Sequence, residues 1–239
     1  LKKGEVHALM GENGAGKSTL MKVLTGIYTK DSGTITYEGQ EVQFHNTHDA
    51  QEAGIVIVHQ ELALIPDLSI GENMFLGNEL CGSFGIDWDK TYYEAAEQLK
   101  RLGMNDDPRV LIRDIGAGKQ QLVEIAKALS KNVKLLILDE PTSALNEDDS
   151  ANLLNLMRGL KKNGITCIMI SHKLNEIAAI SDAVTVIRDG HTVDSYEVVA
   201  GAVDENKIIR SMVGRSIDNR YPEHGSNPGE VIFEVSDYD

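Results

Sequence analysis

Residues 5–26 read EVHALMGENGAGKSTLMKVLTG. A short apolar run, 5–10, leads into a glycine-rich turn, 11–16. A helix-forming run then closes at Gly26. The turn fits G-x-x-x-x-G-K-[ST] in full, with Gly11, Gly16, Lys17 and Ser18 at the fixed positions. Glu12, Asn13, Gly14 and Ala15 lie inside it and Thr19 follows. A strand before and a helix after are the context that makes such a turn a phosphate cradle. Glycines let backbone N–H groups approach phosphate oxygens, and the helix N-terminus adds partial positive charge. Lys17 is then expected at the β/γ-phosphates of a nucleotide, and the Ser18 hydroxyl at Mg²⁺.

Working outward, strands and helices alternate. GTITYEGQEVQF, with Glu38-Gly39 at its centre, reads as a hairpin. THDAQEAG reads as a short helix and IVIVHQ as a buried strand ending at Gln60. After an interlude from about residue 63 to 127, containing the helix TYYEAAEQLKRLGM, the alternation resumes. KLLILDE is a strand, 147–164 an amphipathic helix, TCIMIS a strand and KLNEIAAIS a helix. AVTVIRDG and HTVDSYEV form a hairpin, and DENKIIRSMVG a closing helix. This order predicts an α/β fold, a mostly parallel sheet covered by helices on both faces. Beyond Gly214, RYPEHGSNPGE reads as a linker feeding the run VIFEV.

The tetrapeptide GAGK returns at 116–119, in RDIGAGKQQL. Here Arg113 stands where the first glycine belongs, and Gln120 where the hydroxyl residue belongs. The lead-in RVLIRD is short and ends polar. This copy opens a helix, so its amides can meet an anion, but it is not a second phosphate loop.

Carboxylates complete the first site. Asp139 and Glu140 end the apolar strand KLLILDE, where one can hold Mg²⁺ and the next can polarise an attacking water. Gln60, whose amide can serve both metal and water, ends the strand IVIVHQ, and His172 ends TCIMISH on a following strand. Ligands of open α/β sheets sit beyond the carboxyl ends of strands, which gathers Lys17, Gln60, Asp139, Glu140 and His172 in one place.

Composition narrows the alternatives. The 239 residues carry a net charge of −14, which argues against nucleic acid as a partner. No apolar run approaches the ~20 residues of a membrane span. The two cysteines, Cys81 and Cys167, form no C-x-x-C pair, and Cys167 reads as a buried free thiol of a reducing compartment. A small-molecule kinase would need an acceptor pocket and an arginine-bearing lid. The run Asp139-Glu140-Pro141-Thr142 favours hydrolysis instead.

Taken together, GENGAGKST, VHQEL, GAGKQQLVEIAKAL, LLILDEPTSAL and MISH resemble an ATP-binding cassette (ABC) ATPase. KVLTGIYTKDSGTI, IIRSMVGR and RYP make the chain similar to the N-terminal half of the tandem ATPases of bacterial monosaccharide importers of ribose, galactose and xylose type. The resemblance implies a P-loop NTPase of ABC type, 1–215, with an antiparallel β part and an inserted helical subdomain at about 63–127. Residues 216–239 would begin a second ATPase domain. It also implies two further strands ahead of EVHALM, one bearing the residue that stacks on adenine, so the sequence reads as a fragment.

The implied activity is ATP hydrolysis with Mg²⁺, energising sugar import. Glu140 would act on the water, His172 on the γ-phosphate, and Ser18, Asp139 and Gln60 on the metal. Ile115, Gly116, Ala117, Gly118, Lys119 and Gln120 occupy the family's signature, usually Leu-Ser-Gly-Gly-Gln, which caps nucleotide held by an opposite ATPase domain. Gly116 in place of serine and Lys119 in place of glutamine weaken it, the lysine charge compensating in part. Asn146 stands where that family usually has aspartate. Implied partners are a second ATPase domain (same full-length chain or homodimer), membrane permease subunits and, indirectly, a periplasmic sugar-binding protein. The implied location is peripheral, on the cytoplasmic face of the bacterial inner membrane. A non-transport ABC ATPase of nucleic-acid repair or the ribosome is the alternative; it would need basic arms or zinc modules.

Overall fold

The computed structural model describes residues 1–198, 204–213 and 233. In chain order the elements begin with β1 (Val6–Met10), α1 (Lys17–Leu24), β2 (Ile35–Tyr37), β3 (Gln40–Val42), α2 (Thr47–Glu52) and β4 (Ile55–Val58). Then come α3 (Ile70–Phe75), β5 (Cys81–Gly82), β6 (Gly85–Ile86), α4 (Trp88–Arg101) and α5 (Ala117–Leu129). The last are β7 (Leu135–Asp139), α6 (Glu147–Lys162), β8 (Thr166–Ile170), α7 (Leu174–Ile180), β9 (Ala183–Arg188), β10 (His191–Glu197) and α8 (Glu205–Val213). The expected linker past Gly214 and the run VIFEV, apart from Phe233, lie outside the described residues.

Six strands form the main sheet in the order β10-β9-β1-β8-β7-β4. All neighbours pair in parallel except β10, which returns antiparallel on β9. Side-chain alternation splits the strands between two cores. Val6, Ala8, Met10, Leu136, Leu138, Cys167, Met169, Val184 and Val186 meet residues of α5, α6, α7 and α8 on one face. Leu9, Leu135, Ile137, Ile168, Ile170 and Ile187 meet Met21 of α1 and Ala50 of α2 on the other. A period of two along each strand thus sends successive side chains into opposite layers. Cys167 is buried as expected, its thiol pushed up to about 12 by burial, while Cys81 is exposed.

The expected antiparallel part is present. β2 pairs with β3 across Glu38-Gly39, and β9 with β10 across Asp189-Gly190. In both turns the two central residues have positive φ, 48° and 81° in the first, 50° and 76° in the second. Such twin left-handed residues give a turn whose twist matches that of the strands it joins.

The helical region differs in detail from expectation. Residues 69–77, to which the sequence pattern assigns no element, contain α3. Ser69 accepts from the Glu72 N–H, and the Glu72 carboxylate accepts from the Ser69 N–H. This reciprocal pair satisfies amides a helix start would otherwise leave orphaned. α4 starts at Trp88 rather than Thr91, because Asp87 caps it by accepting from the Lys90 N–H at 3.0 Å. α5 belongs to two cores: Leu122, Val123 and Ala126 pack with α3 and α4, whereas Ile125 and Ala128 pack under the sheet.

Asn73 pins this region. Fully buried, it accepts from the Ile65 N–H at 2.7 Å and donates to the carbonyls of Ile65, Leu68 and Ser69. Asn73→Ala leaves the part-buried Ile65 N–H and the carbonyls of Ile65, Leu68 and Ser69 without this partner and should destabilise the fold by about 1–3 kcal/mol. The check is the midpoint of urea unfolding, expected to fall at constant slope. An unchanged midpoint would show that water replaces the amide.

Candidate active site

The turn after β1 is shaped by close approach. A Cβ at Gly11 would lie 2.3 Å from the Ile187 carbonyl oxygen of β9, so no side chain fits. Gly16 has φ +105°, a conformation other residues rarely adopt, and caps α1 without a side chain. The Gly190 N–H donates to the Ala15 carbonyl at 2.9 Å, so the β9–β10 turn braces the loop. Glu12, Asn13, Gly14, Ser18 and Thr19 are exposed, while Gly11, Ala15 and Lys17 are buried. Among the described residues the N–H groups of Gly14, Gly16, Lys17 and Ser18 donate to no backbone carbonyl. Free amides at a helix N-terminus are what an anionic phosphate takes up.

Lys17 is only 8% exposed, and its ammonium donates to the carbonyls of Gly11 at 2.7 Å and Glu12 at 3.0 Å. Burial pushes its pKa down, and the carboxylates of Glu140 and Asp139 pull it back up. Asp139, the last residue of β7, responds in the opposite sense. Burial and then the Glu140 charge raise its pKa, against His59, Lys17 and a hydrogen bond from Ser18. Lys17, Ser18, Asp139 and Glu140 therefore lie within one another's electrostatic reach.

Glu140 has φ 49°, uncommon for a residue with a side chain. Its N–H donates to the Ile170 carbonyl of β8 at 2.9 Å. That turn swings its carboxylate toward His172, whose Nε2 lies 2.7 Å from Glu140 Oε1. The imidazole and the carboxylate are thus in close contact.

Two expected residues stand differently. β4 ends at Val58, so Gln60 does not end the strand and lies exposed in the following loop. The reason is register. β4 pairs only with β7, the last pair being Val58 with Leu138, whereas Asp139 pairs with Ile170 of β8. His59, which the sequence pattern does not single out, is the residue of this loop that Asp139 feels. His172 likewise follows β8 by two residues instead of ending it.

The second GAGK stands apart. Gly116 caps α5 without a side-chain bond, and Ile115 is buried in the helical core. Gln120 turns inward, its Nε2 donating to the carbonyls of Ile112 and Ile115. Lys119 is not a free compensating charge, because its ammonium lies 2.6 Å from the Asp106 carboxylate. Gly118 sits against Leu145 and Asp149, and Asn146 caps α6 by accepting from the Asp149 N–H at 2.8 Å. Among the described residues no hydrogen bond or ion pair joins Ile115–Gln120 to Gly11–Thr19.

Comparison with known proteins agrees with this arrangement. Residues 1–143 match the family described as ABC transporter. The whole chain is 54% identical to the L-arabinose transport ATP-binding protein AraG of Geobacillus stearothermophilus, covering 47% of it. It is 50% identical over its whole length to the xylose import ATP-binding protein XylG of Geobacillus kaustophilus, again covering 47%. Identity to the ribose import ATP-binding protein RbsA of Bacillus licheniformis is 46%, over 98% of this chain and 48% of that protein. The chain thus spans about half the length of the curated relatives it matches.

In fold it resembles an ATP-binding cassette of an ABC transporter solved in its ADP conformation, with TM-score 0.74, 24% identity and 89% of each chain covered. Sequence, site geometry and fold agree that the chain belongs to the ABC transporter family, as an ATP-binding domain.

Proposed function

We propose that this chain is the first ATPase domain of a longer protein that energises import of a monosaccharide through a membrane permease. One observation carries the hydrolytic part: Lys17, Asp139, Glu140 and His172 converge, with the Glu140–His172 contact at 2.7 Å. The names of the arabinose, xylose and ribose relatives support the substrate class. Residues 1–215 would form this domain, with the helical part at about 63–127, and 216–239 would lead into the next.

In this reading the loop amides and Lys17 bind and orient the triphosphate of ATP. Glu140 accepts hydrogen bonding from the attacking water and aligns it with the γ-phosphorus. His172, in contact with Glu140, meets the γ-phosphate. Ser18 and Asp139, with Gln60 from the neighbouring loop, would hold Mg²⁺, which neutralises charge on the β- and γ-phosphates when bound. The residues suit it: Asp139 and Glu140 are half-buried carboxylates whose repulsion a cation relieves. The described residues contain no cluster of three His, Cys, Asp or Glu fit for a metal.

The exposed turn Gly116–Lys119 would cap nucleotide on an opposite ATPase domain by its free amides, without a serine hydroxyl. A groove of about 230 Å³, lined by Ile57, His59, Glu61, Ala63, Lys127 and Lys131, joins the Gln60 loop to α5. There a permease segment would feel ATP-driven closure. The reading places the chain peripherally, on the cytoplasmic face of the membrane; no helix of the described residues is long and apolar enough to cross it.

The test is transport. The full-length protein, assembled in vesicles with the permease encoded beside it and its sugar-binding protein, should take up labelled arabinose, xylose or ribose only with ATP. Uptake should stop with Lys17→Ala. ATP hydrolysis without ATP-dependent uptake of any monosaccharide would contradict the import reading.

A further inference from the structure

Glu140 and His172 come from loops following different strands, and among the described residues no hydrogen bond from another side chain holds either side chain in place. Glu140 sits in an unfavourable backbone conformation, and His172 is exposed. Such strain persists only where surrounding structure enforces it. What brackets the pair is one buried carboxylate, that of Glu176 in the first turn of α7.

Glu176 is 6% exposed, and its side chain gathers three donors. The Thr142 hydroxyl donates to Oε2 at 2.7 Å, and the Ser171 hydroxyl lies 3.4 Å from the same oxygen. The Lys173 ammonium lies 3.1 Å from Oε1 and also donates to the Thr142 carbonyl at 3.0 Å. The Lys173 N–H donates to the Ser171 hydroxyl oxygen at 3.1 Å, closing the ring. Thr142 is 1% exposed and Ser171 4%, so these bonds form largely away from water, where leaving a group unpaired is costly.

The positions matter as much as the bonds. Thr142 follows Glu140 by two residues, across the buried Pro141. Ser171 and Lys173 flank His172 on both sides. The same carboxylate therefore grips the loop that carries Glu140 and the loop that carries His172.

We propose that Glu176 is a positioning residue, tying these two loops together through Thr142, Ser171 and Lys173 so that Glu140 and His172 meet in hydrolytic geometry. It touches neither nucleotide nor water and acts only through the pair. The proposal rests on the ATPase reading above, but its geometric half does not depend on turnover. The Thr142 hydroxyl is the sharpest handle. Thr142→Val removes it while keeping the shape, and Thr142→Ser keeps it while removing a methyl.

Three measurements on the full-length protein test the idea. First, Thr142→Val and Glu176→Gln should lower kcat by roughly 10- to 100-fold, with KM for ATP within about threefold of the parent, whereas Thr142→Ser stays near the parent. Second, in a His172→Ala background Thr142→Val should cost less than about twofold more, because the pair it positions is already gone. Third, the ring ¹⁵N signals of His172 in the nucleotide-free protein should be alike in the parent and Thr142→Ser and shifted in Thr142→Val, as the Glu140 carboxylate leaves its place beside Nε2.

A parent that hydrolyses ATP but a Thr142→Val variant with unchanged kcat overturns the proposal. So does a full additive loss in the His172→Ala background, or an unchanged His172 spectrum. A parent with no ATPase activity instead defeats the hydrolytic reading, and the His172 spectrum then still decides whether the network positions the ring. Should Glu176→Gln fail to fold, the Thr142 pair carries the test alone.

Discussion

Lys17→Ala is expected to lower ATP hydrolysis at this site by roughly two to three orders of magnitude and to weaken nucleotide binding with it. Lys17 is the one cation at the heart of the loop, buried against two carbonyls and facing two carboxylates. Its burial already disfavours the charge, so the protein keeps an ammonium where water does not stabilise it fully. Such a group is preorganised for the charge on transferring phosphate, and in a poorly hydrated site its effect is large. Alanine also leaves the Gly11 and Glu12 carbonyls without their donor. Titration with a fluorescent ATP analogue, alongside phosphate release, checks both effects. A variant that binds and hydrolyses like the parent would remove the loop from the mechanism.

Glu140→Gln should separate binding from chemistry. Glutamine fits the same space beside His172, so the loop geometry survives. What disappears is the acceptor charge beside the expected water, worth roughly 10²- to 10⁴-fold when a general base is lost. The change also removes the neighbour that raises Asp139 and repels phosphate. ATP should therefore bind at least as tightly as in the parent and remain uncleaved. Chromatography of the nucleotide retained after gel filtration should show ATP, not ADP. Retained ADP, with hydrolysis near the parent rate, would assign the reaction to another residue.

Contiguous features were legible in the sequence. The phosphate loop is one strand, one turn and one helix, and its spacing alone fixes where Lys17 and Ser18 point. The turns at Glu38-Gly39 and Asp189-Gly190 are marked by Gly39, Gly190 and Asp189, which tolerate positive φ. The apolar runs of β1, β7 and β8 are buried on both sides, as their lack of alternation implies.

Features set by register or tertiary contact were less legible. Nothing in IVIVHQ says that β4 loses its partner at Val58, leaving Gln60 exposed and His59 near Asp139. The Thr142–Glu176 bond spans 34 positions and joins two side chains that look unremarkable in isolation. The pairing of Lys119 with Asp106 likewise depends on how α5 packs beside the loop after α4. By contrast, the Ser69–Glu72 capping box lies within the contiguous run SIGE, a local signal that could have marked α3.

The central claim is that Gly11–Thr19 cradles the nucleotide while the later GAGK faces outward, toward another domain. A crystal structure of the full-length Glu140→Gln protein with ATP and Mg²⁺ tests it most directly. The account predicts the γ-phosphate against the Lys17 ammonium, the metal between Ser18 and Asp139, and His172 at the terminal phosphate. Finding the triphosphate seated on Gly116–Lys119 of its own domain, with Lys17 still bound to Gly11 and Glu12, would contradict it.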